Sequence, residues 1–191
     1  MLASPNIQEL QQRIALYDDQ HAYKELFTLF YKSLQQFAAT FVRSPETAEE
    51  IVSDVFLKVW KKRAGLTRIH NLKLYLFIST KNAALNHLRS QKKPLLPIEQ
   101  YRVQLQSSYF DPEKLMLTAE MMTRVQKAIS NLPPRCQLIF KLVKEDGLKY
   151  REVAELLSLS LKTVENQMTT AIKKIGQAIH FDIRTSITSK F

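Results

Sequence analysis

One segment near the C-terminal end constrains the fold of this chain more than any other. Residues 147–175 have the sequence GLKYREVAELLSLSLKTVENQMTTAIKKI. The apolar spacing predicts two short amphipathic helices, joined by a tight turn at Ser158, Leu159 and Ser160, with lysines at the end of the second helix. This is the layout of a helix-turn-helix, in which the second helix enters the major groove of DNA. A formal net charge of +10 gives a separate electrostatic reason to consider a polyanionic partner.

The scarcity of glycine and the placement of proline predict an all-α fold made of two small helical domains. The 191 residues include only 3 glycines, whereas a strand-rich fold needs more of them at its turns. Residues 91–111 combine prolines and serines without clean periodicity, which indicates a flexible linker. We therefore expect a helical domain at residues 1–90, a linker at 91–111 and a second helical domain at 112–191.

The N-terminal domain is predicted to contain four helices, at about residues 7–16, 19–42, 45–62 and 72–89. Asp18 or Asp19 can cap the second helix, Ser44 followed by Pro45 starts the third, and a loop at 64–71 precedes the fourth. Apolar residues recur at intervals of three and four on the second and third helices, so each is expected to bury one face in the core. These positions are Tyr23, Leu26, Phe27, Phe30, Leu34, Phe37, Ala38, Phe41, Ala48, Ile51, Val52, Val55, Phe56 and Val59.

The last helix, which starts at Leu161, has an apolar and a polar side at 3.6 residues per turn. The side expected to face the core holds Val164, Met168, Ala171, Ile172 and Ile175. On the other side, asparagine can pair with adenine, glutamate can accept from cytosine, threonine methyls can touch thymine, and lysine can bind phosphate. The candidate contacts with duplex DNA are Lys162, Thr163, Glu165, Asn166, Thr169, Thr170 and Lys173, with Glu165 and Asn166 as the leading base readers. The alternative is a helical hairpin whose polar face is simply solvated.

The third helix carries a ridge that is expected to be exposed. Glu50, Ser53, Asp54 and Leu57 are spaced at i, i+3, i+4 and i+7, with Lys58 beside them. An exposed leucine between acidic groups is typical of a surface on which another helix docks. Alternatively, a single exposed leucine is common and needs no explanation.

The fourth helix combines basic residues with aromatic residues. Such a combination suits single-stranded or melted DNA, where bases can stack on aromatic rings. The candidate contacts are Asn71, Lys73, Tyr75, Lys81, Asn82, Asn86 and Arg89. The alternative is an ordinary basic helix that covers a core.

Four stretches together resemble one protein family, the extracytoplasmic-function (ECF) branch of sigma-70-type RNA polymerase sigma factors. The stretch AEEIVSDVFLKVW at 48–60 is similar to sigma region 2.2, and YLFISTKNAALNHLR at 75–89 is similar to regions 2.3 and 2.4. LPPRCQLIFKL at 132–142, followed by GLKYREVAELLSLSLKTVENQM at 147–168, resembles region 4. The KTVENQM run resembles in particular the ferric-citrate-type sigma factors of the Bacteroidetes.

The resemblance implies a promoter-specificity subunit. The ridge Glu50, Ser53, Asp54, Leu57 and Lys58 would face the coiled coil of the β′ subunit of core RNA polymerase. The loop 64–71 and the fourth helix would melt and read the promoter −10 element, with Asn82 nearest the bases. The last helix would read the −35 element, and the family also implies a contact with the β flap and a membrane-anchored anti-sigma factor. No cofactor and no metal are expected.

Several residues depart from the family pattern. Lys149 stands where a serine or threonine cap is usual, so the helix at 150–157 is expected to start less firmly. Ser158 replaces the usual turn glycine, a position that serine occupies with more strain. Glu165, Gln167 and Thr170 stand where many relatives carry lysine or arginine. We therefore expect a different −35 sequence with fewer guanine contacts.

Two other classes of function are weaker alternatives. A conventional helix-turn-helix activator or repressor would leave the third and fourth helices without a role. An enzyme is disfavoured because the histidines are widely separated and no phosphate loop or clustered carboxylates occur. The single Cys136 lies in an apolar run and is expected to be a buried, inert thiol in a reducing cytoplasm. We expect no signal peptide and no transmembrane segment.

Overall fold

The computed structural model describes residues 6–42, 44–91 and 119–188, and every regular element in these ranges is a helix. The predicted all-α fold is therefore confirmed. The chain divides into two units, Met1–Leu96 (unit 1) and Pro97–Phe191 (unit 2). The predicted linker, apart from residue 91, lies outside the described residues.

Unit 1 contains α1 (Ile7–Tyr17), α2 (Gln20–Val42), α3 (Pro45–Lys61), a 3-10 helix (Arg63–Arg68) and α4 (Leu72–Ser90). Unit 2 contains α5 (Ala119–Ser130), α6 (Pro134–Lys144), α7 (Tyr150–Leu157) and α8 (Leu161–Thr188). Within the ranges that the structure describes, no helix has the length and apolar content that crossing a bilayer requires.

Side-chain caps fix the starts of the helices in unit 1. The Oγ of Ser44 accepts a hydrogen bond of 3.2 Å from the N–H of Thr47, and Pro45 occupies the first turn of α3 as predicted. Of the two aspartates considered for α2, Asp19 is the cap, because its Oδ1 accepts from the backbone N–H groups that follow it. Asp18 instead ends α1 in the left-handed region, at φ 53°.

The core of unit 1 forms where α2 packs against α3 and α4. Phe37, Phe56 and Phe77 are almost completely buried, and the rings of Phe37 and Phe77 meet edge to face at 5.2 Å. All predicted core positions of α3 are buried, which confirms its periodicity. Tyr23 and Phe27 of α2 were expected in the core but are only half-buried, and the ring of each lies against Phe56.

The loop predicted at 64–71 is not a simple loop. Residues Arg63–Arg68 form a 3-10 helix, in which Gly65 donates to the carbonyl of Lys62 at 2.9 Å. Leu66 is 2% exposed and anchors this helix in the core. Burial of one leucine is a tertiary effect that the local sequence does not reveal.

The link between α6 and α7 contains a tight backbone turn at its glycine. Gly147 has φ 65°, and the N–H of Leu148 donates to the carbonyl of Leu142 at 2.9 Å, which closes the end of α6. Lys149 offers no side-chain cap to α7, as expected. The carboxylate of Glu152, in the first turn of α7, compensates for the missing cap, because it accepts a hydrogen bond from the N–H of Lys149 at 2.8 Å.

Candidate nucleic-acid interface

The predicted tight turn joins α7 to α8. Ser158 adopts φ 56° and ψ 46°, so it takes the left-handed conformation usual for glycine. The N–H of Leu159 returns to the carbonyl of Ala154 at 2.8 Å and closes α7. The Oγ of Ser160 accepts from the N–H of Thr163 at 3.0 Å and caps α8. The two helices therefore form the helix-turn-helix that the sequence predicted.

The inner side of α8 is narrower than predicted. Val164, Met168 and Ala171 are buried, in agreement with the apolar pattern. Ile172, expected in the core, is 54% exposed, and Ile175 is only half-buried. Ile172 lies about 100° around the helix from Ala171, which puts it at the edge of the sector that the rest of unit 2 covers.

The outer side of α8 gathers all the candidate duplex contacts on one surface. At 3.6 residues per turn they span about 160° of the helix circumference, opposite the buried stripe. Thr163 and Glu165 are half-buried, and the other members are exposed: Lys162, Asn166, Thr169, Thr170 and Lys173. Lys162 and Glu165 form an ion pair of 3.7 Å on this face. We name this surface the α8 outer face.

The threonine hydroxyls of the α8 outer face are already bonded within the helix. The Oγ1 of Thr169 donates to the carbonyl of Glu165, and that of Thr170 donates to the carbonyl of Asn166, both at 2.9 Å. The Oγ1 of Thr163 pairs with the Oγ of Ser160 at 2.8 Å. Their methyl groups therefore remain for apolar contact, which is the threonine chemistry that recognises the methyl of thymine.

The candidate residues near α4 divide into two groups. Tyr75, Asn82, Asn86 and Arg89 lie within a strip of about 60° along the helix, and we name it the α4 strip. The members beyond Tyr75 are exposed, and Arg89 donates to the Oδ1 of Asn86 at 3.3 Å. Such a strip can meet one strand of nucleic acid along its length.

The other three residues of that set do not join the α4 strip. The Oδ1 of Asn71 accepts from the N–H of Leu74 at 3.0 Å, so this side chain is the N-cap of α4. Lys73 and Lys81 are half-buried on other sides of the helix. Burial lowers the pKa of Lys81.

The predicted ridge on α3 is exposed along its whole length. Its members are Glu50, Ser53, Asp54, Leu57 and Lys58. Leu57 is 49% exposed, opposite the buried stripe of the same helix. Tyr31 of α2, which was not among the predicted residues, donates its hydroxyl to the Oε1 of Glu49 at 2.8 Å beside this ridge. Only tertiary packing reveals this contact, since the two residues are on different helices.

No candidate metal centre occurs in the part of the chain that the structure describes. Within residues 6–42, 44–91 and 119–188, no three histidine, cysteine, aspartate or glutamate side chains are grouped so that they could hold a metal ion. Cys136 is 1% exposed, and its Sγ lies 3.3 Å from the carbonyl of Gln167. Burial raises the pKa of this thiol, which disfavours the reactive thiolate.

Comparisons with known proteins agree with this division into two units. Residues 26–93 match the family model for sigma-70 region 2, and residues 122–175 match that for sigma-70 region 4. The RNA polymerase sigma-H factor of Pseudomonas aeruginosa is 21% identical, over 94% of this chain and 96% of its own length. The ECF RNA polymerase sigma-E factor of Escherichia coli K12 is 23% identical, over 87% of this chain and 91% of its own length.

A solved structure shares the fold. It is that of CnrH in complex with the cytosolic domain of CnrY, with a TM-score of 0.51 and 20% sequence identity. The similarity covers 92% of this chain and 97% of the other.

Proposed function

The chain belongs to the sigma-70 family, among the ECF RNA polymerase sigma factors, and we propose that its three exposed surfaces divide promoter and polymerase recognition between them. A member of this family directs core RNA polymerase to promoters and takes part in transcription initiation. In this proposal the α8 outer face, the α4 strip and the α3 ridge each have a separate role in initiation.

One observation supports the proposal most directly. The α8 outer face, the α4 strip and the α3 ridge are each a continuous surface, and none is covered by the core of its own unit. Had Glu165 and Asn166, or Asp54 and Leu57, been packed inside, these residues could not meet a partner. Because these polar side chains have no structural role in the core, contact with a partner is the best explanation for their arrangement.

The α8 outer face is proposed to read the −35 element as duplex DNA. Asn166 and Glu165 supply hydrogen-bonding groups for base edges, and Thr169 and Thr170 supply methyl groups. Lys162 and Lys173 are not base readers in this proposal, because they are the first and last members of the face along the helix and a lysine ammonium suits a phosphate. The absence of arginine from this face favours a −35 element with few guanine contacts.

The α4 strip is proposed to bind one strand of the −10 element after melting. Tyr75 supplies an aromatic ring, and Asn82 and Asn86 supply amides for exposed base edges. Asn71, Lys73 and Lys81 were expected to join this contact. We now propose that Asn71 acts through the start of α4, and that the two half-buried lysines are secondary phosphate contacts.

The α3 ridge is proposed to dock on the β′ coiled coil of core RNA polymerase. Leu57 would be the apolar anchor, and Glu50 and Asp54 the charged rim, which is the usual organisation of a helical interface. Unit 2 is proposed to contact the β flap.

Weak promoter binding by the free protein follows from this division of labour. We propose domains at residues 1–90 and 112–191, with a linker at 91–111. Two small domains joined by a flexible linker add little to each other's affinity for DNA until core RNA polymerase fixes their spacing. A high affinity of the isolated chain for duplex promoter DNA would contradict this mechanism.

The family branch, the regulatory partner and the cellular location of this chain are also part of the proposal. The KTVENQM run favours the ferric-citrate-type branch of the Bacteroidetes. We also propose a membrane-anchored anti-sigma factor as a partner, because the family commonly has one and the similar CnrH was solved with a bound protein domain. The chain itself is proposed to be a cytoplasmic initiation factor without catalytic activity.

In vitro transcription tests the function. Core RNA polymerase would be incubated with genomic DNA fragments, with and without this chain, and the transcript start sites would be mapped. We expect new start sites that share two sequence elements upstream. A conventional activator or repressor would instead bind duplex DNA by itself and would not copurify with core polymerase.

A further inference from the structure

We propose that α1 holds the 63–71 segment in position for promoter opening, and that Gln11 is the positioning residue. This inference rests on the proposed function, because it assigns a step within −10 recognition. Gln11 does not touch DNA in this proposal; it acts through the backbone of the segment that leads into the α4 strip.

The side chain of Gln11 is unusual for a polar residue because it is 6% exposed. Its Nε2 donates one hydrogen bond to the carbonyl of Leu66 and another, of 2.8 Å, to the carbonyl of Ile69. Both amide hydrogens are therefore used on the backbone of one segment, more than fifty residues away in sequence. A buried amide that satisfies two carbonyls fixes a backbone conformation rather than adding apolar stability.

A second contact secures the start of the same segment. The guanidinium of Arg63 donates to both carboxylate oxygens of Asp18, the residue that ends α1. Arg63 also lies over the ring of Trp60, 4.7 Å from its centroid. Asp18 adopts the left-handed conformation at the C-cap of α1. Contacts from α1 therefore hold both ends of the segment.

The outward side of the 63–71 segment is free to meet DNA. Leu66 points into the core, while Arg68 and His70 are exposed. The segment ends at Asn71, which caps α4 immediately before the α4 strip. A shift of the segment would therefore displace both its own basic side chains and the start of the helix proposed to bind the melted strand. Such positioning matters most when the duplex must be opened.

Open-complex formation tests this inference. The substitution Gln11→Glu removes both N–H donors and places a carboxylate against two carbonyls. Gln12→Glu is the matched control, since Gln12 is the exposed neighbour on the same helix and receives the same charge change. Each full-length variant would be combined with core polymerase and a promoter mapped with the wild-type chain. Permanganate reactivity of thymines would measure opening, on the duplex and on a template already mismatched across the −10 element.

We expect Gln11→Glu to bind core polymerase like wild type, but to form open complex on the duplex about tenfold more slowly, the effect of losing buried hydrogen bonds. The pre-opened template should restore normal activity, which a general folding defect would not allow. Gln12→Glu should match wild type on both templates. Wild-type opening of the duplex by Gln11→Glu would overturn the inference, as would an equal loss on both templates.

Two further controls separate the possible failures. If Trp60 fluorescence shows that Gln11→Glu unfolds unit 1, Gln11→Met replaces it, because methionine has a similar length and no donor. The same defect on the duplex alone is expected, and normal opening would again overturn the inference. If the wild-type chain itself gives no promoter-dependent transcript, the proposed function fails rather than the role of Gln11.

Discussion

The Nζ of Lys141 lies 3.0 and 3.1 Å from the two carboxylate oxygens of Asp146, and both side chains are almost completely buried in unit 2. A second carboxylate, that of Glu145, lies 3.8 Å from the same nitrogen. The ammonium stands at the C-terminal end of α6, where positive charge is favoured by the helix dipole. One cation thus supports the turn that leads into the helix-turn-helix.

Removal of that cation should destabilise unit 2. We expect Lys141→Met to lower the free energy of unfolding by about 3 kcal/mol, because Asp146 would stay buried without its cation. Urea unfolding followed by circular dichroism measures this loss, and Trp60 fluorescence should show that unit 1 is unchanged. Lys144→Met is the control, since Lys144 is exposed on the same helix. Equal stability of the two variants would show that the buried pair contributes nothing.

Protonation of Glu145 should make unit 2 more stable in mild acid than at neutral pH. Burial is the main cause that raises its pKa from 4.5 to about 6, with Asp146 adding to the shift and Lys141 opposing it. The folded state therefore favours the protonated form, and this stabilisation is complete below pH 4.5 and is lost as the pH rises through about 6. We expect Glu145→Gln to stabilise the protein at pH 7.5 by about 1 kcal/mol.

The pH series itself provides the check on that prediction. The stability difference between Glu145→Gln and wild type should shrink as the pH approaches 4.5 in denaturant unfolding experiments. Glu155→Gln, at an exposed position, should show no such trend. A constant difference across the pH range would mean that the carboxylate of Glu145 is not the titrating group.

The α3 ridge can be tested at its apolar anchor. We expect Leu57→Asp to reduce the affinity for core polymerase at least tenfold while unit 1 stays folded, because it places a charge where an apolar contact is proposed. Leu29→Asp is a matched control, since Leu29 is 41% exposed on α2, away from the ridge. Fluorescence anisotropy measures the affinity for core polymerase. If both variants bind like wild type, the α3 ridge is not the docking surface.

Base reading by α8 should be concentrated at Asn166. We expect Asn166→Ala to reduce discrimination among −35 sequences by about 1–3 kcal/mol. Lys162→Ala should instead weaken binding to all sequences alike and reduce its dependence on salt. Competition among promoter variants in the holoenzyme measures both effects. Unaltered sequence preference in Asn166→Ala would mean that another residue reads the bases.

The threonine methyl groups allow a separate test. Thr169→Ser keeps a hydroxyl that can donate to Glu165 but removes the methyl. We expect this variant to lose about 0.8 kcal/mol of binding free energy on a −35 element that contains thymine. Replacement of that thymine by uracil should cost wild type a similar amount and cost Thr169→Ser nothing more. Additive losses in this double-mutant cycle would show that the two methyl groups do not meet.

Local signals explain what the sequence could predict. Ser44 followed by Pro45 specifies a helix start by its own chemistry, and the apolar periodicity of α3 correctly identified its buried face. The helix-turn-helix was also predictable, because the turn at Ser158 and the cap at Ser160 act within a few residues. Each of these features needs no knowledge of the neighbouring elements.

Tertiary contacts explain what the sequence could not predict. The exposure of Ile172 depends on how far the rest of unit 2 extends around α8. Asn71 is an exception, because its bond to Leu74 spans only three residues and asparagine at a helix start is itself a local cap signal. Gln11 sits on a short helix with no distinctive motif, and its partners lie far along the chain.

The burial of Cys136 has a practical consequence. It is the sole cysteine of the chain, and its thiol is both enclosed and disfavoured as thiolate. Cysteines introduced at exposed sites of either unit should therefore accept maleimide dyes selectively without a cysteine-free background. Donor and acceptor placed in this way would report the spacing between the two units before and after the holoenzyme assembles, in single molecules and in real time.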